Sequence, residues 1–173
     1  MRIKSMFLIL FIYVLTTGCC PGINGTVVNA ETGKPIEGAV VLVEWTKTKG
    51  LPGMPYTESY KVIEAVTDKE GNFRISGVYN PFIDPPYVTV YKKGYVAWNS
   101  RIIFPDYRNR TDFKWGKTYT FKLEHFKPEY SYIDHTAFLS SAINSSIGKK
   151  EMIEDAYYWE ELEASKERDK KSK

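Results

Sequence analysis

The sequence predicts a mainly β protein: a sandwich of seven short strands followed by a helical extension. Three observations predict it. Runs rich in Val, Ile, Tyr, Phe and Thr recur between residues 23 and 123, each bounded by Gly, Pro, Asn or Asp. Helix-length apolar stripes do not alternate with these runs, which argues against a Rossmann-type or barrel enzyme. After Pro128 the chain turns rich in Ala, Glu and Lys, and apolar residues fall at helical spacing.

The first strand is read at residues 23–28, INGTVV. It is closed by NAETGKP, whose Asn, Gly and Pro each specify a bend for a different reason. Residues 39–45, AVVLVEW, are apolar and β-branched and give the strongest strand signal. Residues 47–57 hold Gly50, Pro52, Gly53 and Pro55, and are read as a loop that is either a binding edge or a long connection. Residues 60–67, YKVIEAVT, form the next strand, and Asp68-Lys69-Glu70-Gly71 turns it back, with Gly71 supplying a positive φ. In NFRIS, residues 72–76, Phe73 and Ile75 share one face and Arg74 takes the other. Residues 80–86, NPFIDPP, are a proline loop, and 87–91, YVTVY, a strand. A brief strand is read at 101–104, a polar surface loop at 105–115, and a last strand at 117–123, with Tyr119, Phe121 and Leu123 together.

Two helices follow. Ile133, Ala137, Phe138, Ala142 and Ile143 form a helix-compatible stripe over residues 130–147, ended or bent by Gly148. Asp134 is read as its starting cap, with His135 exposed or partly packed. From residue 149 a second, partly exposed helix carries Met152, Ile153, Tyr157, Tyr158, Trp159 and Leu162, and SKERDKKSK frays into solvent. A terminal helix with so many large side chains either docks on its own domain or meets another protein. Tyr157, Tyr158, Trp159 and Leu162 are the expected partner contact, because Tyr and Trp bury large area at low entropy cost.

The beginning of the chain has a different layout. Arg2 and Lys4 precede the ten-residue apolar run MFLILFIYVL, and small residues lead to the only two cysteines, Cys19 and Cys20. Basic start, apolar middle and small-residue end make residues 1–18 a signal peptide, and an apolar run this short does not suit a permanent span. Leu15-Thr16-Thr17-Gly18-Cys19 resembles the lipobox of bacterial lipoproteins. That resemblance implies cleavage after Gly18 and acylation of Cys19, with palmitate-type chains holding the protein on a lipid bilayer. Residues 19–22 then form a lipidated linker, and Cys20, with no third cysteine, is left without an intrachain partner. In a cell with two membranes, a residue other than Asp at position 20 favours the periplasmic face of the outer membrane.

Three blocks in order carry a second resemblance. They are Gly25-Thr26-Val27-Val28 with Thr32-Gly33-Lys34-Pro35-Ile36-Glu37-Gly38-Ala39-Val40-Val41, then Ala65-Val66-Thr67-Asp68 with Gly71-Asn72-Phe73-Arg74-Ile75, and Val88-Thr89-Val90 with Lys93-Gly94-Tyr95. Together they are similar to the carboxypeptidase regulatory-like domain, a transthyretin- or prealbumin-like sandwich. The resemblance implies Greek-key topology and an exported setting. It implies no reaction, since the peptidase unit of that family is separate. With the seven strands and two helices read above, the sandwich is placed over residues 23–125 and the helical extension over 126–173.

Chemistry finds little support in the residues. His125 and His135 are the only histidines and have no zinc-ligand spacing. Ser140 and Ser141 lie near His135, but no nucleophile-elbow motif frames them. Asp68 and Glu70 lack the alternating acids of a calcium loop, and Gly22, Gly25 and Gly33 lack the lysine and spacing of a phosphate loop. Neither catalysis nor a cofactor or metal is expected. Loss of Arg2 and Lys4 from the formal charge of +3 leaves +1, which gives no field for nucleic acid. The expectation is a non-catalytic, lipid-anchored envelope protein with a structural or protein-interaction role. The other reading is a glycan- or peptidoglycan-binding module, in which Tyr56, Tyr60, Tyr79, Tyr87, Tyr91, Tyr95, Trp98 and Tyr107 stack on sugar rings.

Overall fold

A computed structural model describes residues 19–20, 22–115, 118–143 and 150–172. The signal peptide read at residues 1–18, Lys117 of the last predicted strand and the helix stop at Gly148 lie outside the described residues. The strands are β1 (Cys19–Cys20), β2 (Ile23–Asn29), β3 (Val40–Leu51), β4 (Met54–Val66), β5 (Asn72–Ile75), β6 (Val78–Tyr79), β7 (Tyr87–Tyr91), β8 (Trp98–Asn99), β9 (Ile102–Ile103), β10 (Arg108–Asn109) and β11 (Tyr119–Leu123). Helix α1 spans Tyr132–Ala142 and α2 spans Glu151–Lys171.

Seven of the strands form the two sheets of a sandwich, in the orders β11-β2-β5 and β4-β3-β7-β8. Two-residue ribbons join β1 to β6 and β9 to β10. Strands β2 and β11 run parallel, from Tyr119 opposite Gly25 to Leu123 opposite Asn29. Gly25 is needed there: a Cβ would lie 2.7 Å from Phe73 and 2.9 Å from Phe121, the two rings that pack over it. Gly71 has φ +74 and closes the β4–β5 turn, where Asp68 Oδ1 accepts from the Asn72 N–H at 2.7 Å.

The protein has three layers. Val41, Val43 and Trp45 of β3 face the other sheet, among Ile23, Val27, Phe73, Val90 and Phe121. Val40 and Leu42 face the opposite way, onto Tyr91, Phe138, Leu139 and Ile153. Covering of both faces explains why AVVLVEW shows no alternation. Each fully buried Leu, Ile or Phe contributes roughly 1.5–3 kcal/mol over its exposed state, so the helices belong to the folding unit. The result is a mainly β sandwich with a C-terminal helical extension, as the sequence predicts.

Several local expectations are corrected. Residues 47–57 are not a loop. β3 and β4 continue through them as a hairpin that turns at Pro52-Gly53, with a register shift at Trp45/Thr46. The glycines and prolines are tolerated because β7 pairs β3 only from Val40 to Glu44, so beyond it the hairpin is a two-stranded ribbon. The segment 105–115 holds β10, and its Phe113 and Trp115 pack against the sandwich core. Ser131, not Asp134, caps α1, accepting from the Asp134 N–H. His135 is fully buried, and with Leu139 it takes core positions that had been assigned to Ala137, which is exposed.

Candidate functional site

Polar side chains between the helices and the sheet are engaged with one another. Glu160 of α2 accepts from the Tyr91 hydroxyl at 2.9 Å and from His135 Nδ1 at 2.7 Å. The Ala97 N–H donates to His135 Nε2 at 2.9 Å, so that nitrogen carries no proton and Nδ1 bears the ring hydrogen. The Trp159 Nε1–H donates to the Tyr91 oxygen at 2.8 Å. Burial, reinforced by the Glu160 carboxylate, pushes the Tyr91 phenol well above its ordinary range. Nearby, Lys150 and Glu44 form a buried ion pair at 3.6 Å. His135, Glu160, Tyr91 and Trp159 sit inside a packed layer and are occupied by each other, whereas the Lys150–Glu44 pair is buried without a hydrogen bond between its charged atoms.

The hydrolase reading does not assemble. Both ring nitrogens of His135 are taken, and the hydroxyls of Ser140 and Ser141 donate back to helix carbonyls of Thr136 and Ala137. His125 stacks on Tyr95 at 4.4 Å and shares a 2.9 Å hydrogen bond with Asn29. Among the described residues no group of three or more His, Cys, Asp and Glu side chains could hold a metal ion, and no helix is long and apolar enough to cross a membrane.

What stands clear of the packed layers is the hairpin arm. Residues 48–57 are all exposed. Leu51, Met54 and Tyr56 are 76 %, 78 % and 57 % exposed, which is unusual for side chains of that size. Thr46 and Thr48 hydrogen-bond to Asp84 and tie the base of the arm to the 80–86 loop. Lys49 pairs with Glu58 across the two strands. The sequence reading of residues 47–57 as a binding edge or a long connection located this segment, but Gly and Pro masked its strand pattern.

The residues expected at a partner contact divide. Tyr157 packs edge-on against Tyr91, and Trp159 bonds to Tyr91 with Lys93 above its ring at 4.5 Å. Tyr158 and Leu162 remain outside. Cys19 pairs through its backbone with Tyr79. The proposed sugar-stacking residues divide as well. Tyr91 and Trp98 are buried, and Tyr95 is stacked on His125. The Arg101 guanidinium covers one face of Tyr87 at 4.3 Å. Tyr56, Tyr60, Tyr79 and Tyr107 are exposed. A separate shallow groove, about 450 Å³ in volume, is lined by Pro85, Tyr87, Arg101, Phe113 and Trp115.

Comparison with solved structures finds a streptococcal ancillary pilin at 16 % identity, TM-score 0.33, covering 63 % of this chain and 30 % of that one. The shaft pilin SpaA of Lactobacillus rhamnosus GG matches at 12 % identity, TM-score 0.35, over 62 % of this chain and 50 % of that one. A group B streptococcus pilus 2b backbone protein matches at 14 % identity, TM-score 0.33, over 61 % and 41 %. The chain therefore spans half or less of the length of these structures. Comparison with curated proteins finds no match. The expected location, a lipid-anchored lipoprotein on the periplasmic face of an outer membrane, is corrected by these matches, which are to pilins of streptococci and a lactobacillus. The carboxypeptidase regulatory-like domain matches residues 22–114, more than half of the chain. With its two-sheet sandwich and the glycine-closed turns of its sequence blocks, the chain belongs to the carboxypeptidase regulatory-like domain family.

Proposed function

We propose that the chain is a structural protein of the cell envelope that works by contact with another protein. The exposed hairpin arm carries this reading. Among the described residues its Leu51, Met54 and Tyr56 stay largely exposed, while the buried His135, Glu160 and Tyr91 are held by internal bonds. A photocrosslinking residue placed at Met54 in whole cells is expected to trap a second polypeptide, and one placed at Lys34, in the β2–β3 turn, is not. No trapped species from Met54 would sink the reading.

Glycan binding is the second reading. One observation favours it: the groove where Phe113 and Trp115 stand beside Ser100, Arg101 and Lys114. It ranks lower because the Arg101 guanidinium already stacks on Tyr87. Calorimetric titration with a soluble cell-wall oligosaccharide tests it. Heat of binding that vanishes in Phe113→Ala supports it, and absence of any heat removes it.

A further inference from the structure

We infer that the partner of the hairpin arm is a second copy of this chain, which offers the outer face of α2 as the docking surface. The inference rests on the protein-contact reading above and names its partner.

The arm has two unlike faces. Lys47 lies opposite Glu58, Lys49 opposite Tyr56 and Leu51 opposite Met54, and directly opposed residues share a face. That face therefore gathers every large or charged side chain of the arm. Thr48, Gly50, Pro55 and Thr57 take the other face. The working face has an apolar end, Leu51, Met54 and Tyr56, and a basic bias. Over residues 46–61 Lys47, Lys49 and Lys61 outnumber Glu58, the only acid.

Helix α2 carries the complement. Residues 151–163 contain six acids and no Lys or Arg. Glu160 is buried in the network, whereas Glu154, Asp155 and Glu161 are exposed. Tyr158 and Leu162 are 59 % and 48 % exposed and lie one turn apart. Glu154, Asp155 and Glu161 are the helical neighbours of Tyr158 at spacings of three and four residues, so the acids flank an apolar centre. Docking on its own sheet uses the opposite stripe, Ile153, Tyr157, Glu160 and Ala164, and leaves this acidic-apolar face outward.

Two exposed surfaces of one chain are thus matched in both respects. Each has an apolar centre of two or three large side chains, and their charges are opposite. Opposite charge speeds and orients association, and the apolar centres supply most of the binding energy. Because the contact joins two different patches, a pair joined by one such contact retains a free helix face on one copy and a free arm on the other. The same contact can be reciprocated within a dimer or repeated along a row.

Sedimentation of the full-length chain tests this. The wild type is expected to associate with rising concentration, and to do so less at high salt. Leu51→Ser with Met54→Ser, and separately Tyr158→Ser with Leu162→Ser, should each weaken association by about tenfold or more. All four residues lie outside the core, so thermal melts of both variants should match the wild type. The deciding measurement is the mixture. Each variant keeps the surface that the other lacks, so the two together should form a one-to-one complex that neither forms alone. A wild type that stays monomeric, or a mixture with no complex, overturns the inference. So does a photocrosslinker at Met54 that traps only a different protein, an outcome that leaves the protein-contact reading standing. A crosslinker that traps nothing removes both.

Discussion

Glu160 occupies a position in the inward stripe of α2 where an apolar side chain would be the simple choice. It is tolerated because two donors, the His135 Nδ1–H and the Tyr91 hydroxyl, meet its two oxygens. Glu160→Ala leaves both donors buried without an acceptor. Each such loss costs about 1–3 kcal/mol, so the variant should be less stable by about 3 kcal/mol in urea unfolding. An unchanged midpoint would show that water reaches the gap. Glu167 is the second carboxylate to shape α2. Its hydrogen bond with Lys171, followed by those from the Ser131 hydroxyl and the Ile133 N–H, outweighs partial burial and holds its carboxyl down to about 2. A carboxylate with a folded value below its unfolded value near 4 stabilises the protein fully above that value. The stabilisation fades as pH falls from about 4 towards 2. Stability measured from pH 7 to 2 should therefore fall less steeply in Glu167→Gln than in the wild type at the acid end.

Among the elements, the helices are fastened through carboxylates from elsewhere in the chain. Helix α2 begins at Lys150 with no side-chain cap of its own, and Glu64 of β4 accepts from the Met152 and Ile153 N–H groups at 3.1 and 2.9 Å. Glu64→Ala should cost about 1 kcal/mol, the usual effect of a lost cap. Amide exchange should speed up at Met152 and Ile153 while β3 stays protected. Equal protection in both proteins would mean that another group caps the turn. These fastenings also show which elements could be read from sequence. β5 and β11 were legible because one face of each meets the core and the other meets solvent, so Phe73, Ile75, Phe121 and Leu123 alternate with polar residues. The stripe of α2 was not sharp, because Glu160 breaks it, and that of α1 was read only in part: Phe138, Ala142 and Ile143 are buried as expected, and His135 was left out. Glu160 and His135 are each satisfied inside in part by the other, and a single-element pattern contains no trace of a bond made 25 positions away. The strand character of the arm, read as a loop, was hidden for a different reason. Proline and glycine argue against a strand that has neighbours on both sides, and a ribbon outside the sheet is free of that constraint.

At the scale of the whole molecule, the helical layer covers a sheet face that would otherwise be bare. A chain ended at residue 149 would uncover Val40, Leu42 and Tyr91 and leave His135 without Glu160. It should lose its cooperative thermal transition and bind a hydrophobic dye. A truncated chain that melts like the wild type would mean that the sandwich folds without α2. The parallel pairing of β2 with β11 has a mechanical consequence. The two strands are the first and last of the two-sheet sandwich, and they lie side by side over five paired residues. Tension drawing the beginning of β2 away from the end of β11 pulls the neighbours in opposite directions along their length. Their hydrogen bonds are then loaded together in shear and cannot open one after another like a zip. The helices, which come after β11, lie outside that load path when the pull is applied at Ile23 and Leu123. The fold is thus built to carry tensile load along the sandwich.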